Sequence, residues 1–426
     1  MLVCFIFPYK KGVLFFRQNK HRSKRSCDRD TDNFLFFFCR KTSRITSGGV
    51  VLIFTSAEID VLRLAAWCKD LPTGRAEIFP REIVELLYAM GLLRQSRCGL
   101  SYRATPKGYE VLQKGGFDYR PDKQYRGKGA ILDRRLETAE ITGFFWRYGA
   151  DIFLSAPYAE KKGLAFLPSF ALRRKTYANV LGGTRLAGFL YSEYKTFIPY
   201  YITQNNTGIY ANVELRTFRA ESLLCGRSPV VLYTGAGTLE QLIRTVTAER
   251  CKKAHSTTDS YLAALDKFVC EAALVPMDET GMRQLRILSV PEYKEKLLRQ
   301  ILGKDFLPPV LKQSDGRRRK ANDHFLIGID CNIARFREAI AQTDSKPHII
   351  VLTTQAPALQ TYLTGQNVVL HPIEVKAAEA ILGIPHELPA LNLSPFRTGK
   401  GEYLYGAPFR ETKAPGRKSG RHMEKE

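Results

Sequence analysis

The sequence predicts a mixed α/β protein, with an N-terminal winged helix-turn-helix followed by a larger α/β domain built on a mixed sheet. Three observations carry this expectation. Between Thr55 and Gln113, apolar-periodic helical stretches lead into a short strand pair and a further helix start. From Ala150 to Tyr233 the pattern is strand-like and dense in Tyr and Phe, as pleated surfaces favour. After Val230, strands and helices alternate to about Leu370, the pattern of parallel βαβ packing.

Residues 1–51 do not read as a folded domain. Phe-rich bursts alternate there with Lys10-Lys11, Arg22-Ser23-Lys24-Arg25 and Arg40-Lys41, without helical or strand period. Two readings stand side by side: a disordered basic arm, or a mis-assigned start, because Ser47-Gly48-Gly49-Val50 is what a GGAGG ribosome-binding sequence gives when translated.

The module over residues 52–114 has a local physical cause at each junction. Thr55-Ser56-Ala57-Glu58 is a capping box, and Ile59, Leu62, Leu64, Ala65 and Ala66 supply the apolar stripe of a first helix. Leu71-Pro72-Thr73-Gly74 ends it, and Arg75 to Phe79 is expected as a short second helix. Pro80 then opens a third, Arg81 to Met90, in the position of a recognition helix. Gly91 closes that helix, Gly99 turns a hairpin, and Thr105-Pro106 starts the next helix with a cap and a proline where no N–H is needed. A strand pair turned back against a helix is a wing.

The helix end Ile83-Val84-Glu85-Leu86-Leu87-Tyr88-Ala89-Met90-Gly91-Leu92-Leu93 and the wing exit Tyr102-Arg103-Ala104-Thr105-Pro106-Lys107-Gly108-Tyr109 resemble the front module of replication-relaxation proteins of bacterial plasmids and conjugative elements. The resemblance implies a DNA-binding module followed by a larger α/β domain, with relaxosome or replication proteins as further partners; a second copy of the chain is a further expected partner, on the abundant strand aromatics and the incomplete catalytic set of the α/β domain.

Composition bounds the rest. The chain has 426 residues, enough for two or three domains, and a formal net charge of +23 with a pI near 9.6, which favours an anionic partner such as double-stranded DNA. Nine cysteines lie without a CxxC pair or zinc-site spacing, and we read them as reduced thiols of a cytoplasmic protein. The longest apolar runs, Met1 to Phe7 and Phe34 to Cys39, fall far short of the roughly 20 residues a membrane helix needs, so no membrane partner is expected.

Beyond the module, residues 115–130 read as a glycine-rich linker and 131–307 as an α/β domain, nuclease-like or regulatory. Leu132 to Tyr148 is expected as a helix. Strands are expected around Phe166 to Phe170, Arg185 to Leu190, Thr196 to Ile202 and Val230 to Tyr233, with a helix over Leu239 to Ala248. Phe268 to Pro276 and Arg283 to Val290 read as a strand pair, then Pro291 to Leu302 as a helix and 308–322 as an exposed basic loop. Residues 323–390 repeat the strand–helix logic, and 391–426 read as a disordered basic tail.

The expected DNA contacts are Arg81 on the recognition helix and Arg94, Arg97, Arg103 and Lys107 on and beside the wing. Glu82 and Glu85 weaken the field of the recognition helix, so the wing is expected to carry affinity. A protein-docking role for the module is the alternative. No catalytic, cofactor or metal residues are assigned. A metal-dependent nuclease remains the enzymatic rival, through Glu214-Leu215-Arg216 with Glu193 or Glu221, although arginine cannot accept a proton where such sites use lysine. Gly235-Ala236-Gly237 lacks the third glycine of a dinucleotide fingerprint and reads as a plain turn. Asp330 reads as a helix cap before it reads as a metal ligand, and His348 and His371 as core or edge residues.

Overall fold

In the computed structural model, Thr55 caps helix α1 (Ser56–Cys68) as its sequence requires. The Thr55 hydroxyl accepts from the Glu58 N–H, and the Glu58 carboxylate accepts from the Thr55 N–H. The structure describes residues 43–46, 49–75, 78–121, 128–154, 163–173, 180–203, 209–248, 259–268, 270–319, 323–342 and 346–406. They fall into two units. The described part of the first is a hairpin of Ser43–Thr46 (β1) antiparallel to Gly49–Leu52 (β2). That hairpin places regular structure at the end of the segment read as a basic arm or untranslated leader, whose residues 1–42 lie outside the described ones.

Phe54 to Gly406 form the second unit. After α1 the chain makes β3 (Leu71–Pro72), α2 (Arg81–Ala89), the hairpin β4 (Leu93–Gln95) and β5 (Ser101–Ala104), and α3 (Pro106–Lys114), with strand order β3-β5-β4. The break after the first helix is therefore itself a strand. The expected second helix, Arg75 to Phe79, falls partly outside the described residues, at 76 and 77; at its end the Phe79 N–H donates to the Arg75 carbonyl at 2.8 Å. The presumed linker is partly packed, since Phe117 lies 5.8 Å from Phe396 and under the Arg63 guanidinium at 4.1 Å.

Helix α4 (Gly129–Arg147) joins the module to the first large sheet. A Cβ at Gly143 would come within 2.6 Å of the Ile78 and Phe79 side chains, so glycine is what lets them pack directly on the helix backbone. On the other side Phe145 meets Phe166 at 4.6 Å. The sheet comprises β6 (Ala165–Pro168), β7 (Gly188–Tyr191), β8 (Lys195–Tyr201), β9 (Ser228–Gly235) and β10 (Glu271–Pro276), in order β10-β9-β8-β7-β6. The steps from β6 to β7 to β8 are antiparallel, and those from β8 to β9 to β10 are parallel. Short α5 (Ser169–Arg173) follows β6. Helices α6 (Ala211–Phe218) and α7 (Glu221–Leu224) connect β8 to β9, and α8 (Leu239–Thr247) and α9 (Tyr261–Lys267) connect β9 to β10.

Residues 279–289 form a helix, α10 (Glu279–Ser289), where a strand was expected over Arg283 to Val290. Asp278 caps it by accepting from the Gly281 N–H at 2.9 Å. A Cβ at Gly281 would stand 1.8 Å from the Pro276 carbonyl oxygen, so glycine is what allows the helix to leave β10 so sharply.

Helix α11 (Tyr293–Leu302) then precedes a second sheet, β11 (Phe306–Leu307), β12 (Gly316–Arg318), β13 (His324–Ile327), β14 (His348–Leu352) and β15 (Val369–Ile373). It repeats the first: two antiparallel steps, then two parallel ones. Helices α12 (Ile333–Gln342) and α13 (Ala356–Tyr362) make the crossovers, and α14 (Val375–Ile381) follows. Part of the expected basic loop is strand β12, in which Arg318 faces Asp323 at 3.5 Å.

One apolar cluster runs through both halves, from Tyr200, Tyr233 and Tyr261 to Phe336, Ile349 and Leu359. The Leu274 N–H donates to the Asp330 carbonyl, and the buried Gln284 amide donates to Leu274 and Ile329, which stitches one sheet to the other.

Residues 390–406 are ordered, contrary to the expected disordered tail. Ser56 and Ala57, at the first turn of α1, donate their N–H groups to the carbonyls of Ser394 and Asn392, while Phe54 exchanges backbone bonds with Phe396 and Leu404. These partners satisfy helix-terminal donors that otherwise need water. Residues 407–426 lie outside the described residues.

Candidate nucleic-acid interface

The hairpin β4–β5 is held from several directions. Gly99, at φ 74°, donates to the Ser96 carbonyl, Ser96 donates to Ser101, and the Thr73 hydroxyl and Gln95 amide both donate to the Gly99 carbonyl. The Thr73 N–H donates to Leu100 at 3.1 Å. At its base, the Thr105 hydroxyl accepts from Gly108, as the Thr-Pro start predicts. The tip is therefore a preformed projection.

On it the predicted contacts divide. Arg94, on β4, and Arg97, in the turn, are exposed and have no ion-pair partner among the described residues. Arg103 is turned inward: its Nε donates at 2.6 Å to the carboxylate of Asp70, which is fully buried and also accepts from Ser101 at 2.5 Å. Leaving Asp70 without that partner would cost about 3–5 kcal/mol, so Arg103 is committed to the fold. Lys107 donates from Nζ to the Met90 carbonyl at 3.0 Å, at the C-terminal end of α2. Both residues lie at the β4–β5 hairpin or the helix that follows it, and their polar groups already have intramolecular partners.

Helix α2 turns Ile83, Val84 and Leu87 inward and exposes Arg81, Glu82, Glu85 and Tyr88. Arg81 pairs with Glu85 at 2.7 Å in an i,i+4 bridge whose side chains are 77% and 56% exposed. Solvent screens such a pair, so a phosphate can replace Glu85 readily. Tyr88 is among the outward residues the helical pattern gives, whereas the sequence alone did not single out Leu100. Tyr88 packs edge-on to Tyr102 with centroids 5.8 Å apart and is half exposed, while Leu100 is 53% exposed at the hairpin tip. Nor did it signal Asp70, whose role appears only once β3 and β5 are paired.

The carboxylates considered for nuclease chemistry are not gathered. Glu214 lies on helix α6 and not on a strand, and it is fully buried, accepting from the Tyr200 hydroxyl at 2.9 Å and the Arg185 N–H at 2.6 Å. Burial pushes its carboxyl up to about 7, against the lowering effect of those donors. Glu193 is exposed in the turn between β7 and β8, and Glu221 begins α7. No group of three His, Cys, Asp or Glu side chains is arranged to hold a metal among the described residues.

The Gly235-Ala236-Gly237 turn leads into α8 through a capping box of Thr238 and Gln241, with Gly237 at φ 104°. Asp330 accepts from the Asn332 N–H and lies 3.1 Å from Lys294, while Asn332 itself accepts from the Arg335 N–H in the first turn of α12. Asp330 thus joins an ion-pair network, and Asn332 does the capping. His348 and His371 stand on neighbouring strands with Nδ1 and Nε2 2.8 Å apart, bonded to each other.

Among the described residues, no helix is long and apolar enough to cross a membrane. No protein-family model matches the chain, and no curated protein or solved structure matches it either.

Proposed function

We propose that this chain is a non-catalytic, double-stranded-DNA-binding accessory or regulatory protein of a mobile genetic element, and that residues 54–114 are its winged-helix reader. The observation that carries the reading is the wing: a rigid hairpin presenting Arg94 and Arg97 without carboxylate partners, beside an exposed helix α2. The net charge of +23 supports an anionic partner. The resemblance to replication-relaxation proteins supplies the biological setting, with relaxosome or replication proteins and a second copy of the chain as partners. Buried Glu214 and the dispersed carboxylates favour this reading over a nuclease.

Titration of duplex DNA at several salt concentrations tests it. Each neutralised phosphate contributes about 0.9 to the slope of log K against log salt, so Arg94→Ala with Arg97→Ala should lower the slope by about two and weaken unrelated sequences alike. Arg81→Ala should instead change preference among sequences. An unchanged affinity and slope in the double variant overturns the wing as the contact surface and turns the module toward protein docking.

A further inference from the structure

Leu100 is the large apolar side chain that the hairpin turn leaves half exposed. It is 53% exposed in a hairpin otherwise built from Gln95, Ser96, Arg97, Cys98, Gly99 and Ser101, and its own carbonyl is clamped by the Thr73 N–H. Single exposed leucines are common on protein surfaces. This one is held at the tip of a rigid projection, three residues from Arg97 and six from Arg94, with no carboxylate in the turn. A preformed apolar point flanked by arginines has the chemistry of a side chain that enters the minor groove between base steps: the arginines approach the phosphates and groove edges, and the apolar group replaces stacking at one step and kinks the duplex.

We propose that Leu100 is a minor-groove wedge, and that the protein bends the duplex it binds at the step this residue enters. The inference rests on the DNA-binding reading of the wing. Sequence preference then arises in part from deformability: sites with a flexible pyrimidine–purine step under the wing are preferred over stiff A-tracts, without any hydrogen bond to a base edge at that step.

The test uses the full chain with end-labelled duplexes of about 30 base pairs, a length over which wedge-induced bends are resolved, reading binding by anisotropy and bending by energy transfer between the ends. The expected result is a bent complex for the unaltered protein. Leu100→Ser should bind about tenfold more weakly, the low end of what burying a leucine is worth, with an unbent duplex and an unchanged salt slope. Leu100→Lys should restore affinity through an added phosphate contact while leaving the duplex straight. Circular dichroism of both variants should match the unaltered protein, because an exposed tip carries no core packing. A straight complex from the unaltered protein, or a bend that survives in Leu100→Ser, overturns the wedge and leaves the DNA reading intact. Absence of any salt-dependent binding by the unaltered protein overturns the DNA reading itself.

Discussion

In the half of the molecule built on the first large sheet, Glu214 is enclosed with a tyrosine hydroxyl and a backbone N–H as its hydrogen-bond donors, and burial pushes its carboxyl up to about 7. In the half built on the second, Asp315 and Asp330 are enclosed with cations: Arg335 lies 2.6 Å from Asp315 and 3.7 Å from Asp330, and Lys294 lies 3.1 Å from Asp330. The two sheets share their order of antiparallel and parallel steps. One topology therefore tolerates two ways of keeping a carboxylate inside, neutral and hydrogen-bonded or charged and paired. The difference teaches which contacts are coupled to pH and which to a partner's presence.

The largest effect should come from the paired half. Arg335→Met leaves Asp315 and Asp330 facing each other across a site where the arginine also donates to the Gln313 carbonyl at 3.1 Å. Removing one member of such a buried set costs about 3–5 kcal/mol. Adding Asp315→Leu to Arg335→Met should recover a good part of that loss, because the orphaned charge is gone. Urea unfolding of the single and double variants measures both. A loss below about 1 kcal/mol for Arg335→Met, in the range of surface pairs, means that the second half is not held by this network.

The neutral half should respond next, and with the opposite dependence on conditions. Glu214 has its carboxyl raised from an ordinary 4.5 to about 7, so the folded state holds the proton more tightly than the unfolded one. Its contribution is fully present below the unfolded value and is lost as pH rises through 7. Glu214→Gln, whose amide oxygen accepts from the Arg185 N–H and whose NH2 donates to the Tyr200 hydroxyl once that hydroxyl rotates to accept, should therefore be nearly neutral near pH 4.5 and stabilising by about 2–3 kcal/mol at pH 8. Thermal unfolding across that range tests this. A difference that does not change with pH would show that the carboxylate stays charged in the fold.

How much of this could be read from residues depends on whether the cause is local. The capping box at Thr55, the Thr105-Pro106 helix start, the turns at Gly91 and Gly99 and the strand at Val230 all stand where the sequence places them, because each is fixed within a few residues. Arg283 to Val290 forms helix α10 and not a strand: its short apolar set Leu285, Ile287, Leu288 and Val290 fits either element in isolation, while the deciding signals, the cap at Asp278 and the tight passage at Gly281, lie upstream. The element carrying Glu214 was open for a similar reason, since Val213-Glu214-Leu215-Arg216 fits either period in isolation. The 390–406 segment reads as tail by composition, and its order comes from contacts with α1 more than 300 residues away in the chain, such as Ser56 to Ser394. At the candidate interface, the positions of the basic residues were legible and their partners were not. Only the pairing of β3 with β5 reveals that Asp70 claims Arg103.

The smallest expected effect lies where the two halves meet, and it sharpens the comparison because it combines both regimes. Lys195, at the start of β8, donates to Glu271 at the start of β10 at 2.6 Å, and Lys294 from α11 approaches the same carboxylate at 3.9 Å. Burial alone would raise the Glu271 carboxyl, but Lys294 and Lys195 outweigh it and hold it below its ordinary 4.5. The Glu271 side chain is half exposed, so solvent screens the pair and Lys195→Met should cost only about 0.5–1 kcal/mol at neutral pH. A depressed carboxyl contributes stability that is present above its unfolded value and lost as pH falls through the folded one. The penalty of Lys195→Met should accordingly shrink below pH 4.5, where Glu271 is protonated in the unfolded chain, and should also shrink at high salt. Unfolding at pH 7 and pH 3, each at low and high salt, measures this. A penalty that is the same in all these conditions would assign Lys195 to packing, with its ammonium over the Tyr293 ring at 5.2 Å, and remove the ion pair from the seam between the halves.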